Sequence, residues 1–434
     1  MKQSTRPVAI VMNMFYTGLG IARSLGMRGI PVVGLSAHRG CYGNFTRYAN
    51  VLSCPDSRKQ PEALLEFLLQ LGKTMVNRAI IFPTRDDDVL FLERFRDQLR
   101  SRFLLVLPET PALTACLNKW ETYRWAEAAG VPGPRCWSVA AKDDLLRIVP
   151  EVSYPCVLKP VSAHHWRGAR NWQLVGSRKV IAASSREELL AEYDKVSQAD
   201  ARALVQEFVP GGDDCLRIAA CYMDRNSRLV AGFTAEKVLQ EPEGFGTGCI
   251  VKATDSPEVL AVAGDLLAKM HFSGIAEVEF KWDRSSGQHK LIEINPRPWD
   301  QHRLGSACGV DLIHIAYCDL TGLDLPRPAV CNTAVKWVAE DVFLFVLLRS
   351  MWKRDGSLRA LLRMARGRRT YAIGSRKDPL PLLVSLGLGM GPELAGRALS
   401  KLRSMIGRLL SFNGASQKRT LSYDNQLRKA KCKD

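Results

Sequence analysis

In its N-terminal part the chain alternates short apolar runs with amphipathic stretches. Residues 8–12 are apolar, Thr17-Gly18-Leu19-Gly20 reads as a turn, a helical stretch continues to about Gly29, and residues 31–35 are apolar again. A second unit repeats the order, with a strand over 79–82, the turn Pro83-Thr84-Arg85-Asp86, an amphipathic helix over 89–99 and a strand over 103–107. Strands alternating with helices predict a parallel sheet covered on both faces, a Rossmann-like α/β domain. Gly18 and Gly20 supply part of a dinucleotide fingerprint. The third glycine and the acidic residue that should end the second strand are missing, so the pair reads as a tight turn at a helix start.

A predicted helix over 118–130 stops at Gly130, and Val131-Pro132-Gly133-Pro134 breaks the chain near a domain boundary. Beyond it the pattern turns to α+β. A strand at 156–159 runs into a polar, glycine-containing loop over 162–176, followed by a helix over 186–196 and a strand over 204–209 ended by Pro210-Gly211-Gly212. Strands at 217–223 and 229–233 are joined by the turn Asp224-Arg225-Asn226-Ser227. After a helix over 257–270, strands at 276–282 and 290–294 form a hairpin through the turn residues 283–288.

That hairpin carries the most specific chemistry in the chain. Alternate residues of a strand share a face, so Glu277 and Glu279 point one way, and Glu293 and Asn295 on the partner strand do likewise. Carboxylate and amide oxygens without Cys or His suit a hard cation that keeps its waters and bridges phosphates, which describes magnesium. Arg297 follows at once, placed for a phosphate or carboxylate. Upstream, Lys159 ends a buried-looking strand directly before the loop 162–170, and Lys119 opens the helix before the Pro-Gly break. Gln206-Glu207-Phe208-Val209 offers backbone groups to an adenine edge, with Asp213 and Asp214 at a distance suited to a ribose hydroxyl.

Composition changes this picture little until charge is located. The 434 residues are 46% hydrophobic and 24% charged, enough for two or three globular domains. The 12 cysteines lie between Cys41 and Cys432 without a C-x-x-C pair, and the first residues lack a signal-peptide layout, which points to a reducing cytoplasm. The longest apolar runs, 342–348 and 380–388, are too short to span a membrane. Of the net +17, the part from Asp341 onward holds 20 Lys and Arg against 6 Asp and Glu, a net of +14, leaving +3 for the rest. The body is therefore near neutral and the tail basic. Arg397, Lys401 and Arg408 fall near one face of a predicted tail helix and Leu399, Leu402, Ile406 and Leu410 on another. This reads as a peripheral contact at the inner membrane face or with an acidic partner, or as packing on the body. The tail has few aromatics, so no nucleic-acid partner is expected.

The order of these parts resembles the ATP-grasp superfamily: a lysine closing the first domain, a strand lysine before a glycine-containing loop, a hinge strand, then Glu279 with Glu293-Ile294-Asn295-Pro296-Arg297. Gly274-Ile275-Ala276-Glu277-Val278-Glu279-Phe280 is similar to the carboxylate–amine ligase branch. Phe245-Gly246-Thr247-Gly248-Cys249 and Asp378-Pro379-Leu380-Pro381 are similar to its D-aspartate-ligase-like group. The resemblance implies a Rossmann-like domain over 1–117, an ATP-grasp domain of two α+β subdomains clasping ATP over 118–325, and a basic, mainly helical region with a disordered end over 326–434. It assigns Lys119 and Lys159 to the nucleotide phosphates, the backbones of Glu207 and Val209 to adenine, and Asp214 to ribose. Glu279, Glu293 and Asn295 become ligands of magnesium or manganese, Arg297 the holder of an acyl-phosphate, and Arg217 and Lys237 further phosphate or carboxylate contacts. His164-His165-Trp166-Arg167 is bulkier than the small-residue loop usual in the superfamily. His302 and Trp299 either shape the acceptor site or pack at the turn. The implied activity is ADP-forming ligation of a carboxylate to an amine. The alternatives are a carboxylase or phosphotransferase on the same scaffold, or a basic binding protein with a non-catalytic ATP site.

Overall fold

Ala9–Met12 (β1) and Ala79–Phe82 (β4) are apolar and buried at every position, as central strands of a sheet covered on both faces must be. The structure, a computed structural model, describes residues 6–162, 166, 169–176, 178–242, 244, 246–327, 331–353 and 357–388. With Val32–Ser36 (β2), Asn50–Ser53 (β3) and Phe103–Leu105 (β5), these strands form a parallel sheet of order β3-β2-β1-β4-β5. Its core includes Ile10, Ile81, Leu35, Leu68, Leu92 and Phe103, each contributing about 1.5–3 kcal/mol by leaving water.

Two local expectations are corrected here. Gly18 and Gly20 do not make a turn: they lie inside the helix Tyr16–Gly26, at places where another chain segment comes too close for a side chain. A Cβ on Gly18 would fall 1.8 Å from the Asn13 carbonyl oxygen, and one on Gly20 would fall 2.6 Å from His302 Nε2. The amphipathic stretch 89–99 is two helices, Asp86–Arg94 and Arg96–Arg100, parted at Phe95.

A second sheet is antiparallel, of order β6-β9-β7-β8, built from Cys136–Val139 (β6), Cys156–Pro160 (β7), Ile181–Ala183 (β8) and Ala203–Glu207 (β9). Helices Lys142–Ile148 and Arg186–Val196 cover one face through Leu145, Leu189, Tyr193 and Val196. Trp166 is buried in this same core. The expected consequence of the bulky loop around it falls on residues 163–165 and 167, which lie outside the described set.

The third sheet has seven strands in the order β14-β13-β10-β11-β12-β15-β16. They are Leu216–Met223 (β10), Leu229–Glu241 (β11), Thr247–Thr254 (β12), Gly274–Asp283 (β13), Gln288–Asn295 (β14), Val335–Val338 (β15) and Arg368–Tyr371 (β16). All neighbours are antiparallel except β15 and β16. The helix Pro257–Lys269 packs Val259, Ala263, Leu266 and Leu267 against Ala219, Cys221, Val278 and Phe280 on one face. By the two-residue period, Ile218, Ala220, Glu277 and Glu279 belong to the other face. Strands β15 and β16 bring part of the basic C-terminal region into this sheet. The chain up to Leu382 packs as one compact unit. Of the unit that begins at Leu383, residues 383–388 are described, as a helical turn, and the expected amphipathic helix around Arg397 to Leu410 lies outside the described residues.

Candidate active site

The polar face of the β13–β14 hairpin meets the second sheet and the carboxyl end of the first around a cavity of about 440 Å³. Register pairs Glu277 with Asn295 and Glu279 with Glu293, so four oxygen-bearing side chains stand together as the sequence spacing predicts. Each has a partner that orients it. Asn295 Nδ2 donates to Glu277 Oε2 at 3.0 Å, which leaves Asn295 Oδ1 on the side of Arg297, whose Nη2 lies 3.4 Å away. Lys237 Nζ sits 2.9 and 2.8 Å from the two Glu279 carboxylate oxygens, and Lys119 Nζ 2.7 Å from Glu293 Oε1.

These charges set protonation. Burial pushes the Glu277 carboxyl up, and the adjacent Glu279 adds to it. Burial also acts to raise Glu293, but the Lys119 ammonium overcomes it and holds that carboxyl down to about 2. Glu279 and Glu293, each held by a lysine, and the Asn295 amide oxygen, beside a third carboxyl that is reluctant to ionise, form an oxygen-only donor set. Among the described residues no three His, Cys, Asp or Glu side chains are grouped to hold a metal on their own. That donor set fits magnesium, which takes one or two carboxylates and completes its shell with water and substrate phosphate oxygens, and it does not fit a closed Cys or His cage.

Lys119 and Lys159 are placed by separate local rules that converge. Asn118 caps the helix Lys119–Ala128 by accepting from Trp120 N and Glu121 N, which sets Lys119 in the first turn. The Lys119 N–H donates to Val161 O at 2.9 Å, tying that turn to the segment after β7. Lys159 is buried at the end of β7, and its Nζ donates to Gln206 Oε1 at 2.9 Å. Burial first and the neighbouring Lys119 second push its pKa down to about 8. Gln206 is itself held by the Tyr123 hydroxyl at 2.9 Å.

An expected outcome follows from Lys159. Below about pH 8 the ligand-free protein already carries the ammonium that a phosphate chain requires. Above it, binding must first take up a proton, so nucleotide affinity measured by calorimetry falls as pH rises through about 8, by up to ~10-fold per unit. The sign for stability is opposite. Because the folded value lies below the ordinary lysine value, the unfolded chain binds more protons between the two, and the ligand-free protein gains stability over that window. Lys159→Met flattens both profiles; an affinity that stays level across pH 8 in the unsubstituted protein contradicts this role.

Arg297 is half-buried and donates from Nε to Asp86 Oδ1 at 2.7 Å. Asp86 opens the helix Asp86–Arg94 just after β4, at the carboxyl end of the parallel sheet, where ligands of open α/β sheets bind. The first sheet thus reaches the cavity through this ion pair. Val157, Ile292, Leu216, Phe208 and Val209 supply its apolar lining. Glu207 lines it too, but its N–H already donates to Arg135 O at 2.8 Å, so only its carbonyl remains for an adenine edge.

Three expected residues fall outside the cavity. Arg217 lies on the opposite face of β10 from Ile218, because strand period sends it away from Glu279, and it sits 3.6 Å from Glu236 instead. Asp214 is exposed beside Arg284 at 3.3 Å, while its neighbour Asp213 holds Gln240, a lining residue, through both backbone and side chain. His302 is buried with Nε2 3.0 Å from Thr17 O and packs there, whereas Trp299 lines the cavity and stacks on Phe233. Sequence reasoning gave no role to Asp86 or to the Gln206 side chain, and it placed Glu277 among the converging oxygens without naming it a ligand. Asp86 had a signal in its place at a strand end, and Glu277 in its spacing from Glu279.

No protein-family model matches the chain. It is 21% identical over 266 residues to the D-aspartate ligase of Enterococcus faecium (strain Aus0004), covering 58% of this chain and 62% of the relative. It is 22% identical over 237 residues to the C-terminal section of the carbamoyl phosphate synthase large chain of Methanopyrus kandleri, covering 50% and 41%. The chain thus spans under two thirds of each of these relatives. Among solved structures it superposes on the ADP complex of an N5-carboxyaminoimidazole ribonucleotide synthetase with TM-score 0.60, 16% identity and 76% and 81% coverage. Biotin carboxylase from Campylobacter jejuni gives 0.60, 15%, 76% and 74%, and the L-amino acid ligase of Bacillus licheniformis 0.54, 15%, 75% and 75%. By its three sheets and these likenesses, the chain has the fold of the ATP-grasp superfamily.

Proposed function

We propose that this chain is an ATP- and magnesium-dependent ligase that phosphorylates a carboxylate and joins the resulting acyl group to an amine. One observation carries the reading: Lys119, Lys159 and Lys237, an oxygen-only donor set and Arg297 line the same cavity together with the apolar Val157, Phe208, Val209, Leu216 and Ile292. A carboxylate is a poor acyl donor because oxide is a poor leaving group, and phosphorylation removes that obstacle. The transfer asks for in-line positioning and charge neutralisation more than for a side-chain nucleophile.

The roles divide by place. The carbonyl of Glu207 and the N–H of Val209 take the adenine edge, and Lys119 and Lys159 the phosphates. Glu279, Glu293 and Asn295 Oδ1 hold magnesium, or manganese in its place, and the bound cation neutralises phosphate charge. Lys237 pairs with Glu279 and stands ready to shift to an incoming phosphate, and Arg297 holds the acyl-phosphate. The D-aspartate ligase and L-amino acid ligase likenesses favour an amino acid among the substrates. Division into domains over 1–117, 118–325 and 326–434 follows the same reading.

The test is release of ADP and phosphate from ATP while amino acids and hydroxy acids are offered in pairs. Release that requires both a carboxylate and an amine is the expected result. Release driven by bicarbonate alone identifies a carboxylase, and no stimulation by any pair overturns the reading. For the basic C-terminal region, the +14 net charge supports a peripheral contact with an anionic membrane or acidic partner at the cytoplasmic face.

A further inference from the structure

The helix Glu340–Lys353 is apolar on two faces, and only one of them is covered. Phe343 and Val346 enter a core with Cys249, Ile250, Val338, Leu361 and Ala365. On the other side Leu344, Leu348, Met351 and Trp352 are 47, 55, 58 and 73% exposed. Their spacing of four, three and one residues places them on a single stripe. A helix that is apolar all round is normally buried in protein or lipid, so a stripe of this size in water calls for a partner.

The surroundings give the partner's charge. The helix packs on Leu358–Met364, which exposes Leu362 at 47% together with Arg359 and Arg363, and the following chain exposes Arg366, Arg368 and Arg369. Among the described residues from 342 to 388 the one carboxylate is Asp378, buried in an ion pair with Arg23. Among the described residues the nearby Glu241 is held in an ion pair with Arg349 of the helix, so the described charge on this side is mainly basic. At 14 residues the helix is only ~21 Å long, short of a ~30 Å hydrocarbon core, and no described helix is long and apolar enough to cross a membrane.

We infer that this stripe is a membrane-surface docking site: Leu344, Leu348, Met351 and Trp352 enter the interface of an anionic phospholipid bilayer while the arginines of 359–369 meet its headgroups. The inference rests on the peripheral reading of the basic region and assigns it to this helix pair rather than to residues beyond 388. Trp at the water–lipid boundary and Arg among headgroups are the arrangement such surfaces favour.

The test uses the full chain with vesicles of phosphatidylcholine alone and of phosphatidylcholine with roughly a third phosphatidylglycerol. The unsubstituted protein sediments with the second and not the first, and salt releases it. Leu348→Glu with Trp352→Glu lowers vesicle partition by at least ~10-fold while ATP turnover and melting temperature hold, since both side chains are exposed. Arg363→Glu with Arg366→Glu and Arg369→Glu weakens binding and flattens its salt dependence. Arg397→Glu with Arg403→Glu and Arg408→Glu leaves most of it. If the last variant abolishes binding and the first does not, the site is overturned and the peripheral reading stands. If the unsubstituted chain binds neither vesicle, both fall. A stripe that proves to be the contact of a dimer, lost in the first variant without any vesicle binding, overturns the inference as well.

Discussion

Glu293→Gln removes ATP turnover, by at least ~100-fold in kcat/KM, without unfolding the protein. Lys119 holds this carboxyl down to about 2, so it carries full charge at any working pH. Glutamine keeps the side chain's length and still accepts the Lys119 hydrogen bond, now 2.7 Å long, through its amide oxygen. What it loses is the negative charge offered to the cation, on the strand partner of Glu279. The Glu293 side chain is 36% exposed, so solvent screens its ion pair and the stability change stays within about 1 kcal/mol. A rate at the unsubstituted level with saturating magnesium contradicts the assignment of this strand pair to the metal.

Arg297→Ala is expected to damage both activity and stability, and the two effects can be separated. Arg297 and Asp86 are 15 and 16% exposed, and the Asp86 carboxylate pushes the Arg297 pKa up against the effect of burial. Removing the guanidinium takes away the Arg297 ion pair from the Asp86 carboxylate at the join between the first sheet and the hairpin, which costs about 3 kcal/mol. On the proposed reading it also removes the group that holds transferred phosphate, which costs at least ~100-fold in kcat. Arg297→Gln combined with Asp86→Asn restores most of the melting temperature, because no charge is left unpaired, and restores none of the rate. Recovery of both in the double variant returns Arg297 to a purely structural part; loss of neither in Arg297→Ala removes it from both.

Local patterns carried much of this fold and failed where distant segments decide. The hairpin of β13 and β14 was legible because a two-residue period and a turn between are near-neighbour properties, and the same period correctly faced Glu277, Glu279, Glu293 and Asn295 together. Applied to Arg217, it also excludes that residue, since Arg217 pairs across from Phe280, on the covered face. Strands β15 and β16 were missed: Arg368–Tyr371 has no apolar alternation, and its pairing with Val335–Val338 joins segments far apart in the chain. Gly18 and Gly20 misled for a similar reason. What demands glycine there is the approach of Asn13 and of His302, and the second of these lies almost the whole domain away in sequence. The hydrogen bond that occupies the Glu207 N–H likewise comes from Arg135, on a segment that local reading left unassigned.

The central claim is that phosphate passes from ATP onto a carboxylate oxygen before the amine attacks. Once a stimulating carboxylate and amine are found, the direct measurement supplies that carboxylate with heavy oxygen in both positions and reads the released phosphate by mass spectrometry. An acyl-phosphate route leaves one heavy oxygen in the phosphate for each amide bond formed, with ADP as the nucleotide product. Phosphate free of label, or AMP with pyrophosphate in place of ADP, contradicts it.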